Sequence, residues 1–477
     1  MLEARMETAE RGGTSWISEW WRRYAYLASR DPLPPKEGTL LALPEPLRGA
    51  GQTAVAAALV RIYLEGVTAI ERGSLEADAM RGQPLCMEQY RFLFSTCRVP
   101  HAGCDELRRA PGADHIAVVH RGRWFALPVL VGAVRTPLSV AALQRRLDEI
   151  VEVAAEAAEA AAERGGRDGA PRLGEAIGVF TAASRELWAS ARARLLALDA
   201  AEGEAEAKAE GRPRNAQGLD MIERSLFVLC LDARAAAARV SEAGEATGEA
   251  AGEAAGGAVG GAVHDTQLRA VVAAADCANR WYDKACQLVV FADGGAGITM
   301  EHSGFDGYPM VRVFEEGRAK YVREALGPSD DGVNSPRATE LCWATAGEGG
   351  EEDGELAALM ARAREESRDA CGRSELSTLR WAAFGKDDIK KWNVSPDGYV
   401  QMAMQAAFHA IHGRSPSSYE AVATVQFRHG RTETGRVLST ESVRFVEAFA
   451  AYRHARAEPP HQPPQQPPHQ PPHQPTH

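Results

Sequence analysis

Residues 279–307 read NRWYDKACQLVVFADGGAGITMEHSGFDG. QLVVF (287–291) is a short apolar, β-prone run. ADGG (292–295) is turn chemistry, and AGITMEH (296–302) resumes as a second strand. The stretch therefore predicts a hairpin ending at His302. Asp306 and Gly307 then suit the start of a helix, where an aspartate side chain caps exposed backbone N–H groups. His302 would thus sit at a strand-to-helix junction, a place where side chains project into clefts. His302 is followed four residues later by Asp306-Gly307. An imidazole at a strand end can take a proton from a hydroxyl or thiol nucleophile, as acyl transfer requires. The same residues also read as a surface-loop histidine and an ordinary helix cap.

Working outward, the 477 residues are 45% hydrophobic and 25% charged, enough for a large core and two or three domains. The net charge of -11 argues against wholesale nucleic-acid binding. Eight cysteines show neither a CxxC pair nor a dense framework, so they read as reduced thiols of an intracellular protein. Mitochondrion, peroxisome and cytoplasm are not distinguished. No apolar stretch is read as long enough to span a bilayer. Three glutamates among the first ten residues argue against a transit peptide.

A tryptophan-rich amphipathic helix is expected over 14–31, and a second helix over 53–80. A hairpin is expected over 115–130 and a long helix over 138–164. Residues 219–231 are an apolar segment, helical at its start. The Ala/Glu/Gly-rich stretches 151–165, 199–210 and 241–263 read as surface extensions or insertions. AGEGGEEDGE (346–355) is a candidate linker. SPDGYVQMAMQAAFHAIHG (395–413) predicts a helix capped by Ser395 and closed by Gly413. The tail after Glu458 is almost wholly Pro, His and Gln and has no core to offer.

Several stretches in order carry a resemblance: WISEWWRRYAYLASRDPL, QPLCMEQYRFLFSTCRVP, DHIAVVHRGRWF, IGVFTAASRELWASAR, IERSLFVLCLDA, NRWYDK with EHSGFDG, FGKDDIKKWNVSPDGYVQMAMQ and SSYEAVATVQFRHGRTET. Over roughly 16–450 the chain resembles the choline/carnitine O-acyltransferases, most of all their acetyl-transferring, carnitine-using branch. The resemblance implies an α/β fold of two lobes with CoA-dependent acyltransferase (chloramphenicol acetyltransferase-like) architecture. It implies a helical segment at 14–83, a first lobe at 84–345, an incomplete second lobe at 346–458 and a tail at 459–477. The implied activity is reversible transfer of a short acyl group between coenzyme A and the hydroxyl of carnitine. Medium- or long-chain transfer and a catalytically dead, CoA-binding remnant are the alternatives.

In that reading His302 is the general base, and imidazole, titrating near ~6.5, suits two-way proton transfer. Asp306 supports local geometry. Lys386 and Lys390, with Lys391 beside them, contact CoA phosphate, and Asp397 lies near the nucleotide. On residues alone, Lys386 and Lys390 would share one side of a helix, and Asp397 would be a first-turn acid favoured by the helix dipole. Tyr419 and Thr432, with Arg431 adjacent, hold the carboxylate of carnitine. As bare residues they also read as a solvent-facing aromatic and a polar strand edge. No metal and no cofactor other than CoA as substrate is expected, and a monomer is expected. The resemblance stops near Phe449. A Ser-Thr-Ser motif and a carboxylate-binding arginine that the family carries later are not found, so the expectation for this chain is weak activity and exposed apolar surface.

Overall fold

The structure, a computed structural model, describes residues 2–34, 38–42, 51–163, 173–201, 215–234, 258–260, 268–272, 277–324, 335–346, 352–377, 379–381 and 383–457. The tail, most of 199–210 and 241–263, and much of the proposed linker lie outside these residues. Contacts divide the chain into two units. The first comprises Met1–Ala254, Val259–Arg380 and Thr424–Arg431, and the second Ala255–Ala258, Trp381–Ala423 and Thr432–His477.

The first unit is built on a mixed seven-stranded sheet. Its strands are β1 (Gly38–Ala42), β2 (His115–His120), β3 (Arg123–Pro128), β4 (Val228–Asp232), β5 (Cys286–Phe291), β6 (Ala296–Glu301) and β7 (Thr339–Leu341), in the order β1-β6-β5-β4-β2-β3-β7. β4 is parallel to β5 and to β2, while the other neighbouring pairs are antiparallel. The alternation of side chains explains why central strands read as nearly continuous apolar runs. Val118, Leu229, Leu288 and Ile298 enter one core, and Val119, Cys230, Val289 and Phe291 enter the other.

The first core is covered by α1 (Gln52–Glu71), α2 (Val140–Glu163) and α5 (Gly307–Arg323). The second is covered by α3 (Arg185–Ala201), α4 (Asn215–Arg224), α6 (Gly354–Gly372) and the 3-10 segment Leu173–Ala182. The sequence reading began the second lobe at 346, whereas contacts group α6 with the first unit. Leu356, Met360 and Ala363 of that helix join the core beside Phe180 and Trp188.

Several expectations needed adjustment. The helix expected over 53–80 stops at Glu71, because Gly73 adopts φ +62 and turns the chain. α1 is also long and apolar enough to cross a membrane, contrary to the sequence reading. It is 72% buried over its most apolar window, as a core helix between other helices would be. The helix expected over 14–31 is an α-turn, Ser18–Arg22, followed by a π-helical turn, Arg23–Leu27. That wider turn buries Leu27 while leaving Tyr24 exposed. The hairpin of β5 and β6 forms as read, with Asp293 Oδ1 accepting from the Gly295 N–H in its turn.

The second unit holds the short helix Lys386–Lys391, α7 (Pro396–His412), α8 (Thr440–Ala457) and the hairpin β8 (Tyr419–Ala423) with β9 (Thr432–Arg436). Ser395 Oγ accepts from the Gly398 N–H, and Gly413 closes α7 in the left-handed region. Gln405, buried on α7, donates to the Val437 carbonyl at 3.1 Å. Ile411, Met404 and Phe445 are exposed on this unit.

Candidate active site

His302 follows the last residue of β6, a strand paired on both edges: Glu301 lies opposite Gly38 of β1, and Met300 opposite Cys286 of β5. Such a strand cannot shift without breaking two ladders, so the histidine backbone starts from a rigid point. The residues on either side lock it further. Glu301 is buried, and its carboxylate accepts from the Ser303 N–H at 3.2 Å and from Ser303 Oγ at 2.6 Å. Arg98 Nη1 reaches the same carboxylate at 3.4 Å. Gly304 is required by space, since a Cβ there would sit 2.8 Å from Phe92 Cβ.

Asp306 occupies the cap position of α5 but does not cap it. This corrects the expectation from sequence. Its carboxylate instead accepts from Arg431 and from Gln89 Nε2, the latter at 2.9 Å. The Gln89 side chain completes the clasp by accepting from the Asp306 N–H at 2.8 Å. Arg431 reaches around the histidine: Nη1 donates to the Ser303 carbonyl at 2.9 Å and Nη2 to the His302 carbonyl at 2.8 Å. Its guanidinium is thus engaged within the first unit, on the histidine and the aspartate.

The imidazole is half-buried. Tyr26, from the π-helical turn, stacks on it with centroids 5.4 Å apart and planes 16° apart. Around Nδ1 stand Tyr26 Oη at 3.4 Å, Arg431 Nη2 at 3.4 Å and Asp306 Oδ1 at 3.8 Å. A guanidinium can only donate, while a phenol hydroxyl and a carboxylate can accept. The tautomer with its proton on Nδ1 therefore has Tyr26 Oη as acceptor, and leaves the Nε2 lone pair free to take a proton. Burial raises the Tyr26 phenol above its ordinary range, against the pull of Arg431, so it stays protonated near neutrality.

Behind the site lies a buried ionic cluster. Asp105 joins Arg98 and Arg185, each at 2.6 Å, and Arg185 joins Asp283 at 2.6 Å. Burial opposes the Asp105 charge, but Arg185 and Arg98 hold its carboxyl below the usual range. Burial pushes Asp283 up to about 6, against the attraction of Arg185. Burial also pushes Lys284 down to about 8, although its ammonium donates to the Glu223 carbonyl at 2.7 Å. Arg98 Nη2 donates to the Tyr26 carbonyl at 3.0 Å. The cluster therefore supports both Glu301 and the turn that carries Tyr26.

The other residues singled out from sequence lie in the second unit. Lys386 and Lys390 are on a helix, and both are exposed. Lys390 is 3.8 Å from Asp387, and Lys391 is 2.9 Å from Asp388. Asp397 is in the first turn of α7, and its hydrogen bond with Glu420 raises the Glu420 carboxyl. Tyr419 pairs with Arg436 and Thr432 with Ala423, at opposite ends of the β8–β9 ladder. The register puts both on one face, separated by roughly 13 Å of strand. Tyr26 and Gln89 were not singled out from sequence. Tyr26 lies in the π-helical turn and Gln89 in the short 3-10 turn Glu88–Phe92, and nothing local in the sequence marks either.

The Choline/Carnitine o-acyltransferase family matches residues 1–459. The chain belongs to this family. Choline O-acetyltransferase of Sus scrofa is 29% identical over 472 residues, covering 96% of this chain and 64% of that protein. Carnitine O-acetyltransferase of Rattus norvegicus is 27% identical over 452 residues, covering 94% and 64%. The liver isoform of carnitine O-palmitoyltransferase 1 of Homo sapiens is 28% identical, covering 91% of this chain and 50% of that protein. This family member thus spans about 64% of the length of the first two relatives. The H-x-x-x-D-G residues of the family member are the ones gathered around Tyr26, Gln89 and Arg431.

Proposed function

We propose that this chain transfers an acyl group between coenzyme A and the hydroxyl of carnitine, with His302 as general base. The observation that carries the reading is the acceptor-lined Nδ1 of His302 in a member of this family. With its proton on Nδ1 toward Tyr26, His302 takes the acceptor's hydroxyl proton at Nε2. The alkoxide oxygen attacks the thioester carbonyl, and the CoA thiolate leaves and collects the proton from the imidazole. In the reverse direction the same nitrogen serves the thiol. Arg431 and Asp306 position the ring. Lys386 and Lys390 are proposed for CoA phosphate, Asp397 for the nucleotide, and Tyr419 and Thr432 for the carnitine carboxylate. A short acyl group, a two-lobe organisation, a monomer and an intracellular location belong to the same proposal.

Choline as acceptor is the second reading, favoured by the match to choline O-acetyltransferase of Sus scrofa. The full natural chain, assayed with acetyl-CoA and palmitoyl-CoA against carnitine and choline, decides acceptor and chain length. Carnitine turnover that falls by about 10²-fold or more in His302→Ala supports the base assignment. Undiminished turnover sinks it. Lys386→Ala with Lys390→Ala is expected to raise KM for acyl-CoA and to leave KM for carnitine unchanged, because a contact equal in ground and transition states moves binding alone.

A further inference from the structure

Cys371 lies in the last turn of α6, and Cys277 stands just before the run Asn279–Lys284. They are far apart in the chain, so no spacing in the sequence links them. In the fold Cys277 is 2% exposed among Leu33, Ala182 and Tyr282, and Cys371 packs against that cluster while remaining partly exposed. The two thiols thus share one packed cluster, and each perturbs the titration of the other. Tyr282 Oη donates to Cys277 Sγ at 3.7 Å. Cys277 also holds a φ of +54, a conformation a residue with a side chain keeps only where its surroundings enforce it.

We propose that Cys277 and Cys371 form a redox-responsive pair that a hydroperoxide closes into a disulfide. The two members are unequal. The interaction between the two side chains lowers the Cys371 thiol, while it and burial raise that of Cys277. Cys371 is thus both the more accessible and the more acidic thiol, the combination that makes a cysteine nucleophilic. Its thiolate attacks the distal oxygen of the hydroperoxide. The O–O bond breaks, an alcohol leaves after protonation, and Cys371 becomes a sulfenic acid. Cys277 Sγ then attacks that sulfur, the S–O bond breaks, and hydroxide departs as water with the Cys277 proton. Two thiols and one hydroperoxide give one disulfide, one alcohol and one water, two electrons passing from sulfur to oxygen. The bond would tie the end of α6 to the segment carrying Asp283 and Lys284. This inference does not depend on the acyl-transfer reading.

The test is peptide mapping of the native chain after tert-butyl hydroperoxide and blocking of remaining thiols with an alkylating agent. Exposed Cys342, whose thiol is raised by partial burial and Glu340, is the internal reference. The expected result is loss of alkylatable thiol at Cys277 and Cys371 before Cys342, with one linked peptide pair that dithiothreitol reopens. In Cys277→Ser, Cys371 should stop at a sulfenic acid that dimedone traps. Three results would each overturn the proposal: Cys371 still alkylatable when Cys342 is oxidised, Cys371 driven to sulfinic acid without a linked peptide, or a link to another cysteine. The wild-type map decides the matter even if the variant folds poorly.

Discussion

Arg431 places two nitrogens on one oxygen of Asp306, Nε at 3.0 Å and Nη2 at 2.9 Å. The ion pair is largely buried, with side-chain exposures of 11% and 16%. The same guanidinium holds the His302 and Ser303 carbonyls. Removing the aspartate charge would leave an arginine without its carboxylate, and removing the arginine would leave the reverse. Charged hydrogen bonds are worth about 1.5–3 kcal/mol each. Asp306→Asn and Arg431→Gln are therefore expected to lower kcat by about 10-fold or more, with KM for acyl-CoA little changed. Arg431→Lys should not rescue, because an ammonium cannot reproduce the fork that reaches the carboxylate and two carbonyls together. Steady-state kinetics on the three variants check this. Full activity in Arg431→Lys would show that charge alone suffices.

Tyr26 supplies a ring face and a hydroxyl to His302, and the two can be separated. Tyr26→Phe keeps the stack and removes the only hydroxyl near Nδ1 among the described residues. Losing one hydrogen bond of about 0.5–1.5 kcal/mol lowers kcat by roughly 2- to 12-fold. Tyr26→Ala removes the stacking surface as well and should fall further. Equal rates for the phenylalanine and wild-type proteins would mean that Asp306, not the phenol, accepts from Nδ1.

The hairpin, the strand-to-helix junction and α7 were legible because short apolar β-prone runs, turn residues and caps are local signals. Asp306 shows where locality ends. Its sequence position is that of a cap, and its φ of -97 is that of a cap, yet Gln89 and Arg431 compete for its oxygens. Those partners are separated from it by 217 and 125 residues. Tyr26 was hidden for another reason: a π-helical turn shifts the phase of the helix, so a 3.6-residue periodicity points the wrong side chain inward. The Arg98–Asp105–Arg185–Asp283 cluster is equally invisible, since buried charges look like surface charges until their partners meet.

Lys284 gives the stability a pH dependence with a definite sign. Its ammonium is wholly buried and titrates at about 8 in the folded chain, against 10.5 as the ordinary value. Between those values the unfolded chain holds more protons, so raising the pH favours the folded state. Asp283 acts in a separate window. Raised from 3.8 to about 6, it gives a folded state that holds more protons there, and its contribution falls as pH rises through that range. Lys284→Met keeps the stem volume and removes only the first effect. The stability difference between wild type and variant should therefore grow in favour of wild type from pH 8 to 10.5, by on the order of a few kcal/mol. Urea midpoints measured across that range check it, and a flat difference would place the lysine's titration elsewhere.

Gly66 of α1 and Gly317 of α5 lie where the two helices pack with no room for a Cβ, and α5 leads to the site. A Cβ on Gly317 would lie 2.3 Å from the Ile62 carbonyl oxygen, and a Cβ on Gly66 would lie 2.2 Å from Val313 Cγ1. The second obstacle is a side chain, but the first is backbone and cannot rotate away. Alanine is a better helix former than glycine by about 1 kcal/mol, so an uncrowded site would gain stability. Overpacking usually costs about 1–3 kcal/mol, and a carbonyl contact this short should put Gly317→Ala at the upper end. Gly66→Ala should be milder, and Val313→Ala made with it should recover part of the loss. Because α5 begins directly after Asp306, a displaced α5 would also pull that carboxylate from Arg431. Gly317→Ala is thus expected to lower the urea midpoint and kcat together, while Gly66→Ala with Val313→Ala keeps kcat near wild type. A Gly317→Ala protein as stable as wild type would show that the two helices have room to separate.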